Sequence, residues 1–371
     1  MTHLSVQRYR QEVIMSERII DQKSLGKSPS EFVTLNGEPF FIIREVDKME
    51  PFFISIASSD DHWLFISSSG GLTAGRVSPE NALFPYVPVD RIHESYPHTG
   101  PISLIRIKHQ GQTLIWAPLV EEITPPHRVT RNLYKNYLGN KICFEEINHD
   151  FDLVYRYTWS TSERFGFIKS VELINESDQQ YQLEILDGLQ NLLPADVPRQ
   201  TQETSSNLVD AYKWTELHET TSLAIYTLYS AISDKAQPGE SLRANSVFCL
   251  GLPAAQFLIS SDQVRAFLQA TEVTQELQKR GLRGAYLANA KINISPGKQL
   301  SWEIVANLQQ TQAQIVFLQN ELKNAEQLRA LVHADVDKGA DELARLMAAS
   351  DGFQCTAEKR VTLHHYSNVL F

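Results

Sequence analysis

The sequence predicts a mainly β protein, a large antiparallel body followed by a helical tail. Three observations carry that prediction. Phe151, Leu153, Tyr155, Tyr157 and Trp159 alternate with Asp152, Arg156 and Thr158, Val154 alone breaking the polar side. A period of two is what a half-buried strand requires, because successive side chains point to opposite faces. Turn-forming pairs such as Asn36-Gly37 and Gln110-Gly111 sit between strand-like runs, and such short connections imply antiparallel neighbours. From Thr311 the apolar spacing becomes helical: Ile315, Leu318, Leu322, Leu328, Leu331, Val332, then Leu343, Leu346 and Met347.

Taken in order, Glu12 to Gln22 has the spacing of one short helix, broken by Gly26 to Ser30. Phe32 to Arg44 reads as a hairpin around Asn36-Gly37, the strongest short-range hairpin signal. Phe52 to Ala57 and His62 to Ser67 form a second pair. Ser67 to Arg76 is rich in small residues and expected to be more mobile than its flanks. Prolines at 79, 85, 88 and 97 keep the chain irregular as far as Gly100. Irregular stretches of roughly 30 residues inside a compact domain tend to be functional or disordered. A hairpin follows, Ile102 to Lys108 and Gln112 to Ala117, ended by Pro118, which cannot donate to a ladder.

Glu121 to Pro126 is a polar connector to the basic and aromatic segment Arg128 to Tyr137. Ile142 to Ile147, Phe151 to Trp159, Phe167 to Ile174 and Tyr181 to Leu186 then read as a four-strand meander. Its last hairpin turns at Asn175 to Asp178. Leu189 to Thr204 is irregular. Leu208 to His218 and Leu223 to Ile232 are strands, Asp234 to Glu240 a turn, and Ser246 to Leu250 and Gln256 to Ile259 further strands. Asp262 to Arg280 takes helical spacing, stopped by Gly281. Ala285 to Ile294 and Gln299 to Leu308 form a last hairpin around Pro296-Gly297. In the helical tail the polar run Asp335 to Gly339 separates two helices.

The 371 residues are 42% hydrophobic and 21% charged, with 44 acidic against 34 basic side chains and a net charge of −10. That composition supports a packed core. A diffuse acidic surface repels nucleic acid and anionic membrane, so neither is expected as a partner. Cys143, Cys249 and Cys355 are scattered without metal or redox spacing, which suggests a reducing compartment. No segment approaches the ~18 apolar residues of a membrane span, and Met1 to Arg10 lacks a secretory apolar region. A cytoplasmic protein is expected.

Few residues point to chemistry. Gly70-Gly71 and Gly75 form neither a dinucleotide fingerprint nor a P-loop, and no cofactor is expected. The loop from Gly70 to Tyr86 is a candidate sugar-contacting lip. Arg76, Glu80 and Asn81 would supply hydrogen bonds, and Phe84 or Tyr86 a stacking face. The competing reading is a packed irregular loop with one ion pair. Asp187 and Gln190 are candidate binding groups at a strand end, or parts of a turn at Gly188. His364-His365 match no metal spacing, so no metal ligand is assigned. No triad and no carboxylate pair can be placed from spacing alone, so no catalytic residue is assigned either.

Four stretches, Gly70-Gly-Leu-Thr-Ala-Gly-Arg76, Asn81-Ala-Leu-Phe-Pro-Tyr86, Arg131-Asn-Leu-Tyr-Lys-Asn136 and Leu186-Asp-Gly-Leu-Gln-Asn191, resemble the amino-terminal part of cellobiose-phosphorylase-like proteins. The resemblance implies a large antiparallel β-supersandwich similar to galactose mutarotase over residues 1–310. A helical linker over 311–371 would follow, leading to an (α/α)6 barrel that is missing here. In that family the barrel carries the catalytic acid and the phosphate site. The implied ligand is a neutral oligosaccharide or disaccharide, and a homodimer is compatible with the family's packing. The apolar ending Tyr366 to Phe371 also suggests a fragment or a cut at a domain boundary, since natural termini are more often polar. The leading expectation is thus a non-catalytic sandwich and linker of a carbohydrate-active enzyme. A free-standing carbohydrate-binding or scaffold protein is the alternative. An aldose-epimerase-like enzyme is a third reading, and it would need a histidine and a glutamate facing each other in a cleft of the sheet.

Overall fold

A computed structural model describes residues 30–120, 127–204, 206–230, 242–254 and 256–349. The expected helix at Glu12 to Gln22, the connector Glu121 to Pro126, the turn at Asp234 to Glu240, His364-His365 and Cys355 lie outside them.

The chain opens with strands β1 (Ser30–Leu35) and β2 (Glu38–Arg44), joined at Asn36 and Gly37, both at positive φ as a tight hairpin turn demands. Strands β3 (Phe53–Ile56), β4 (His62–Ser67) and β5 (Leu72–Arg76) make a small antiparallel sheet of their own. Next come β6 (Gly100–His109) and β7 (Gln112–Trp116), then β8 (Val129–Asn136), β9 (Ile142–Asn148), β10 (Leu153–Ser162), β11 (Gly166–Asn175) and β12 (Tyr181–Leu192). Helices α1 (Arg199–Thr204) and α2 (Ser206–Tyr212) precede β13 (Lys213–His218), β14 (Leu223–Leu228), β15 (Arg243–Leu250) and β16 (Gln256–Leu258). Helix α3 (Val264–Leu268), β17 (Gln278–Arg280), β18 (Gly284–Ile294) and β19 (Gln299–Thr311) complete the β body. Helices α4 (Gln312–Glu321) and α5 (Ala325–Ala349) end the description.

Eleven strands form one sheet in the order β1-β2-β8-β9-β10-β11-β19-β15-β14-β13-β17, and five form another, β16-β18-β12-β6-β7. Their inner faces share one core. Tyr155, Tyr157, Trp159, Phe167 and Trp302 of the large sheet meet Ile105, Ile107, Ile185, Leu189 and Tyr286 of the smaller. The helices cover the other face of the large sheet, where Ile168, Phe248, Leu250 and Val305 pack against Ile315, Leu318, Leu328 and Val332. Strands β11, β15 and β19 are therefore buried on both sides. The switch at Thr311 is local: its hydroxyl and the Gln314 side chain form a reciprocal capping box. The mainly β body followed by helices is as the sequence predicts.

Several details differ, each for a physical reason. Ser67 to Arg76 is no mobile loop. Its second half is β5, paired to β4 and buried, and Gly75 is small because any side chain there would strike the Trp63 ring and the Asn81 carbonyl. The four-strand meander breaks after its third strand. β11 pairs with β19 in the large sheet, while β12 crosses to pair with β18 and β6. The segment β18–β19 is likewise an arch between sheets and not a hairpin. Asn175 ties the two arches together: its amide donates to Gln179 O (2.7 Å) and Ile294 O (3.2 Å), and its backbone exchanges bonds with Gly297 and Lys298.

The long helix expected from Asp262 shrinks to α3. Arg106 takes the Phe267 and Thr271 carbonyls, and Glu276 accepts from Ile259 N and Ser260 N, which holds the following chain extended. Leu208 to His218 is half helix, because Val209 packs on Val197 and Leu228. Leu189 to Thr204 holds the end of β12 and α1. The polar run Asp335 to Gly339 does not break α5. Asp335 accepts from Ser162 and Arg164, and Gly339 gives room to Ser59.

Candidate functional site

A cleft of about 450 Å3 lies between the outer face of the large sheet and α5. Alternation builds its floor. On β19 Trp302 enters the core while Ser301 and Glu303 face out, and on β11 Ile168, Ser170 and Glu172 do the same. Helical spacing builds the roof, where Arg329, Val332, His333, Val336 and Ala340 share one face of α5. The β1–β2 hairpin and Lys141 close one end.

Glu303 is the centre of this cleft. Arg329 Nε donates to its Oε2 at 2.6 Å and a second guanidinium nitrogen to Oε1 at 2.9 Å, a bidentate grip. His333 Nε2 lies 3.1 Å from Oε1 and donates, since an ionised carboxylate only accepts. Burial alone would push the Glu303 carboxyl up. The bonds from His333 and Arg329 outweigh it and hold the group below the ordinary range. Farther along, Asn36 donates to Glu172 (2.8 Å), and Lys141 pairs with Glu38 (2.7 Å). Glu38, Glu172, Glu303 and Asp337 outnumber Lys141 and Arg329 on the walls. Such a cleft accepts hydrogen bonds from hydroxyls and disfavours anions.

The residues singled out in the Gly70–Tyr86 loop do not line this cleft. Arg76 donates to Asp61 (2.7 Å) and to the Glu163 carbonyl (3.1 Å), holding β5 to the β10–β11 turn. Exposed Glu80 accepts from Arg199 N (2.7 Å), and Asn81 sits half-buried in a 3-10 turn. Phe84 has 0% exposure and packs edge-on against Trp159 in the core. A ring with no exposed area offers a ligand no stacking face, so Phe84 is corrected to a core residue. Tyr86 is half-buried between Trp63 and the Arg199 guanidinium. Arg76 and Tyr86 thus take different partners, Asp61 and the Glu163 carbonyl for one, Trp63 and Arg199 for the other.

Asp187 lies neither at a strand end nor in a turn. It sits in mid-β12 between the sheets with no exposed surface. It accepts from Lys169 Nζ (2.7 Å), Tyr155 Oη (3.0 Å), Trp302 Nε1 (2.8 Å) and Ser103 Oγ. Burial pushes the Lys169 amine down against the pull of Asp187. Gln190 donates to the Pro97 carbonyl and is likewise structural. Glu303, Arg329 and His333 were missed in the sequence, though signals existed: one carboxylate inside an apolar strand, and an Arg and a His four residues apart on a helix. Among the described residues no group of three or more His, Cys, Asp or Glu could hold a metal ion. No described helix is long and apolar enough to cross a membrane.

No protein-family model matches the chain, and no curated protein does. Among solved structures, a bacterial glucoamylase complexed with acarbose is similar at 8% identity and a TM-score of 0.42, over 81% of this chain and 39% of that one. A GalM/aldose epimerase homologue from C. elegans is similar at 12% identity and a TM-score of 0.38, over 71% and 100%. A protein described as a kojibiose phosphorylase, from human microbiome, gives 9% and 0.30, over 82% and 31%. The match therefore spans well under half of the glucoamylase and of the phosphorylase.

Proposed function

We propose that this chain acts as a non-catalytic, carbohydrate-holding region of a carbohydrate-active enzyme resembling the cellobiose phosphorylases, and that a neutral disaccharide or oligosaccharide lies in the cleft beneath α5. One observation carries the reading: the cleft's acceptors are held in place before any ligand arrives, Glu303 by Arg329 and His333 and Glu172 by Asn36. Fixed acceptors lose little freedom on binding, which favours a ligand made of hydroxyls. Val336, half-buried on the roof, offers apolar area for the C–H face of a sugar ring. The acidic walls argue against a phosphate here.

Titration calorimetry with cellobiose and other neutral β-linked disaccharides tests this. Saturable binding is expected, weakened about tenfold by Glu172→Ala or His333→Ala, a loss of about 1.4 kcal/mol. Glucose 1-phosphate should bind far less. Binding untouched by both variants would remove the cleft from the proposal. Release of sugar phosphate from disaccharide and phosphate at an enzyme-like rate would remove the word non-catalytic.

A second reading, an aldose-epimerase-like activity, draws support from the Glu303–His333 contact, the facing pair such chemistry needs. Against it, Glu303 is held ionised by two donors and is a weak base. Polarimetry of freshly dissolved α-D-glucose decides: a mutarotation rate that rises with protein and disappears in Glu303→Gln would favour this second reading.

A further inference from the structure

A second cavity, about 180 Å3, opens at the other side of the large sheet and shares no lining residue with the α5 cleft. Its floor is Phe144 and Tyr157, whose rings stack with centroids 5.1 Å apart and planes 17° off parallel. Asp47, Met49 and Ser69 stand exposed at its rim. Most of its inner polar groups are already engaged. Ser103 serves Asp187 and Tyr155, Tyr96 Oη donates to Leu119 O (2.6 Å), Asn132 donates to Glu145 (2.7 Å) and Arg131 to Glu146 (2.7 Å).

Tyr157 is different. The residue is 4% exposed, yet its hydroxyl has no hydrogen-bond partner among the described residues. A Cβ added at Gly70 would lie 3.9 Å from that oxygen and 3.5 Å from the Tyr96 ring, which places the hydroxyl at the cavity wall. Gly70 itself, at φ +95°, keeps this wall open. That oxygen still touches the cavity space, so a group that enters the cavity can pair with it where the protein supplies no partner.

We propose that this cavity binds a neutral, ring-sized, mainly apolar molecule bearing one hydroxyl or carbonyl oxygen, an alicyclic or aromatic alcohol. Its oxygen pairs with Tyr157 Oη, and its ring lies against Phe144 and Tyr96. A charged ligand finds no uncommitted counter-charge inside, because Arg131 is occupied by Glu146. A sugar is too polar for it: hydroxyls beyond the first would be stranded against Ile102 and Leu119, which disfavours them strongly. The site is independent of the carbohydrate proposal.

The test uses the full chain with cyclohexanol and phenol as probes, read by saturation-transfer NMR and protein chemical shifts. Saturable binding of both is expected, with glucose failing to displace either. Tyr157→Phe keeps the stacked ring and removes only the oxygen, so affinity should fall roughly five- to tenfold while thermal stability changes little. Met49→Trp at the exposed rim should narrow the mouth and weaken both probes without touching the core. Saturating cellobiose should leave probe binding unchanged. The proposal fails if neither probe saturates, if Tyr157→Phe binds both as well as the parent chain, or if glucose displaces them at equal concentration.

Discussion

Two neighbouring residues on β19 lead into two different ionic clusters. Trp302 donates inward to Asp187, which Lys169 also holds, and both charged side chains there are 0% exposed. Glu303 faces outward and is held by Arg329, 30% exposed, and His333, 54% exposed. The chemistry is alike, a carboxylate gripped by a cation and by further hydrogen-bond donors. Solvent access is not. In the interior cluster every donor is spent on the protein, so it can specify how the sheets meet but can recognise nothing. In the outer cluster His333 and the lips of the cleft still face water, so a ligand can compete for them.

Breaking the interior pair should have the largest effect. Lys169→Met leaves Asp187 buried without its cation, and unfolding in urea should show a loss of about 3–5 kcal/mol. Replacing both, Lys169→Met with Asp187→Leu, should recover part of that. A single variant within 1 kcal/mol of the parent would erase the contrast between the two clusters.

A second interior group sharpens it through pH. His62 is 7% exposed and stacks edge-on against Phe167, and neither ring nitrogen has a hydrogen-bond partner among the described residues. Burial, with Arg76 nearby, lowers its pKa to about 4. Between its ordinary value and that one, the unfolded chain binds the proton and the folded chain does not. Stability is therefore complete above pH ~6.5 and declines as pH falls toward 4, by up to about 3 kcal/mol. The His62→Phe variant should flatten that part of the profile in thermal melts from pH 7 to 4.

The outer cluster should respond less in stability and more in binding. Glu303→Gln keeps the shape but weakens the grip of Arg329, with an expected loss of about 1–2 kcal/mol by chemical denaturation. Cellobiose affinity should drop about tenfold in the same variant. A stability loss matching that of Lys169→Met would mean the two clusters serve one purpose.

Arg76→Ala should be the mildest. Its ion pair with Asp61 is partly solvated, so a loss within about 1 kcal/mol is expected, with cellobiose binding unchanged. Weakened binding at preserved stability would restore the loop as a ligand lip.

The β character of residues 30–311 was legible because a strand's period of two survives in the sequence wherever one face meets solvent, as in Phe151 to Trp159. The turns Asn36-Gly37 and Gln110-Gly111 were legible because their backbone needs positive φ, which few residues tolerate. Partnership was not. Asn175 to Asp178 and Pro296-Gly297 look like hairpin turns, and both are arches between sheets, since local turn chemistry fixes a reversal but not which sheet receives the next strand.

By itself the sequence determined the strands, the two tight hairpins and the onset of helix at Thr311, all consequences of local backbone chemistry and side-chain period. Only the tertiary structure decided that Phe84 belongs to the core, that Asp187 is a buried tie and that Glu303, Arg329 and His333 share a cleft. Those facts depend on which faces of distant strands and helices meet, and residues 26 and 30 positions apart leave no periodic trace of such a meeting.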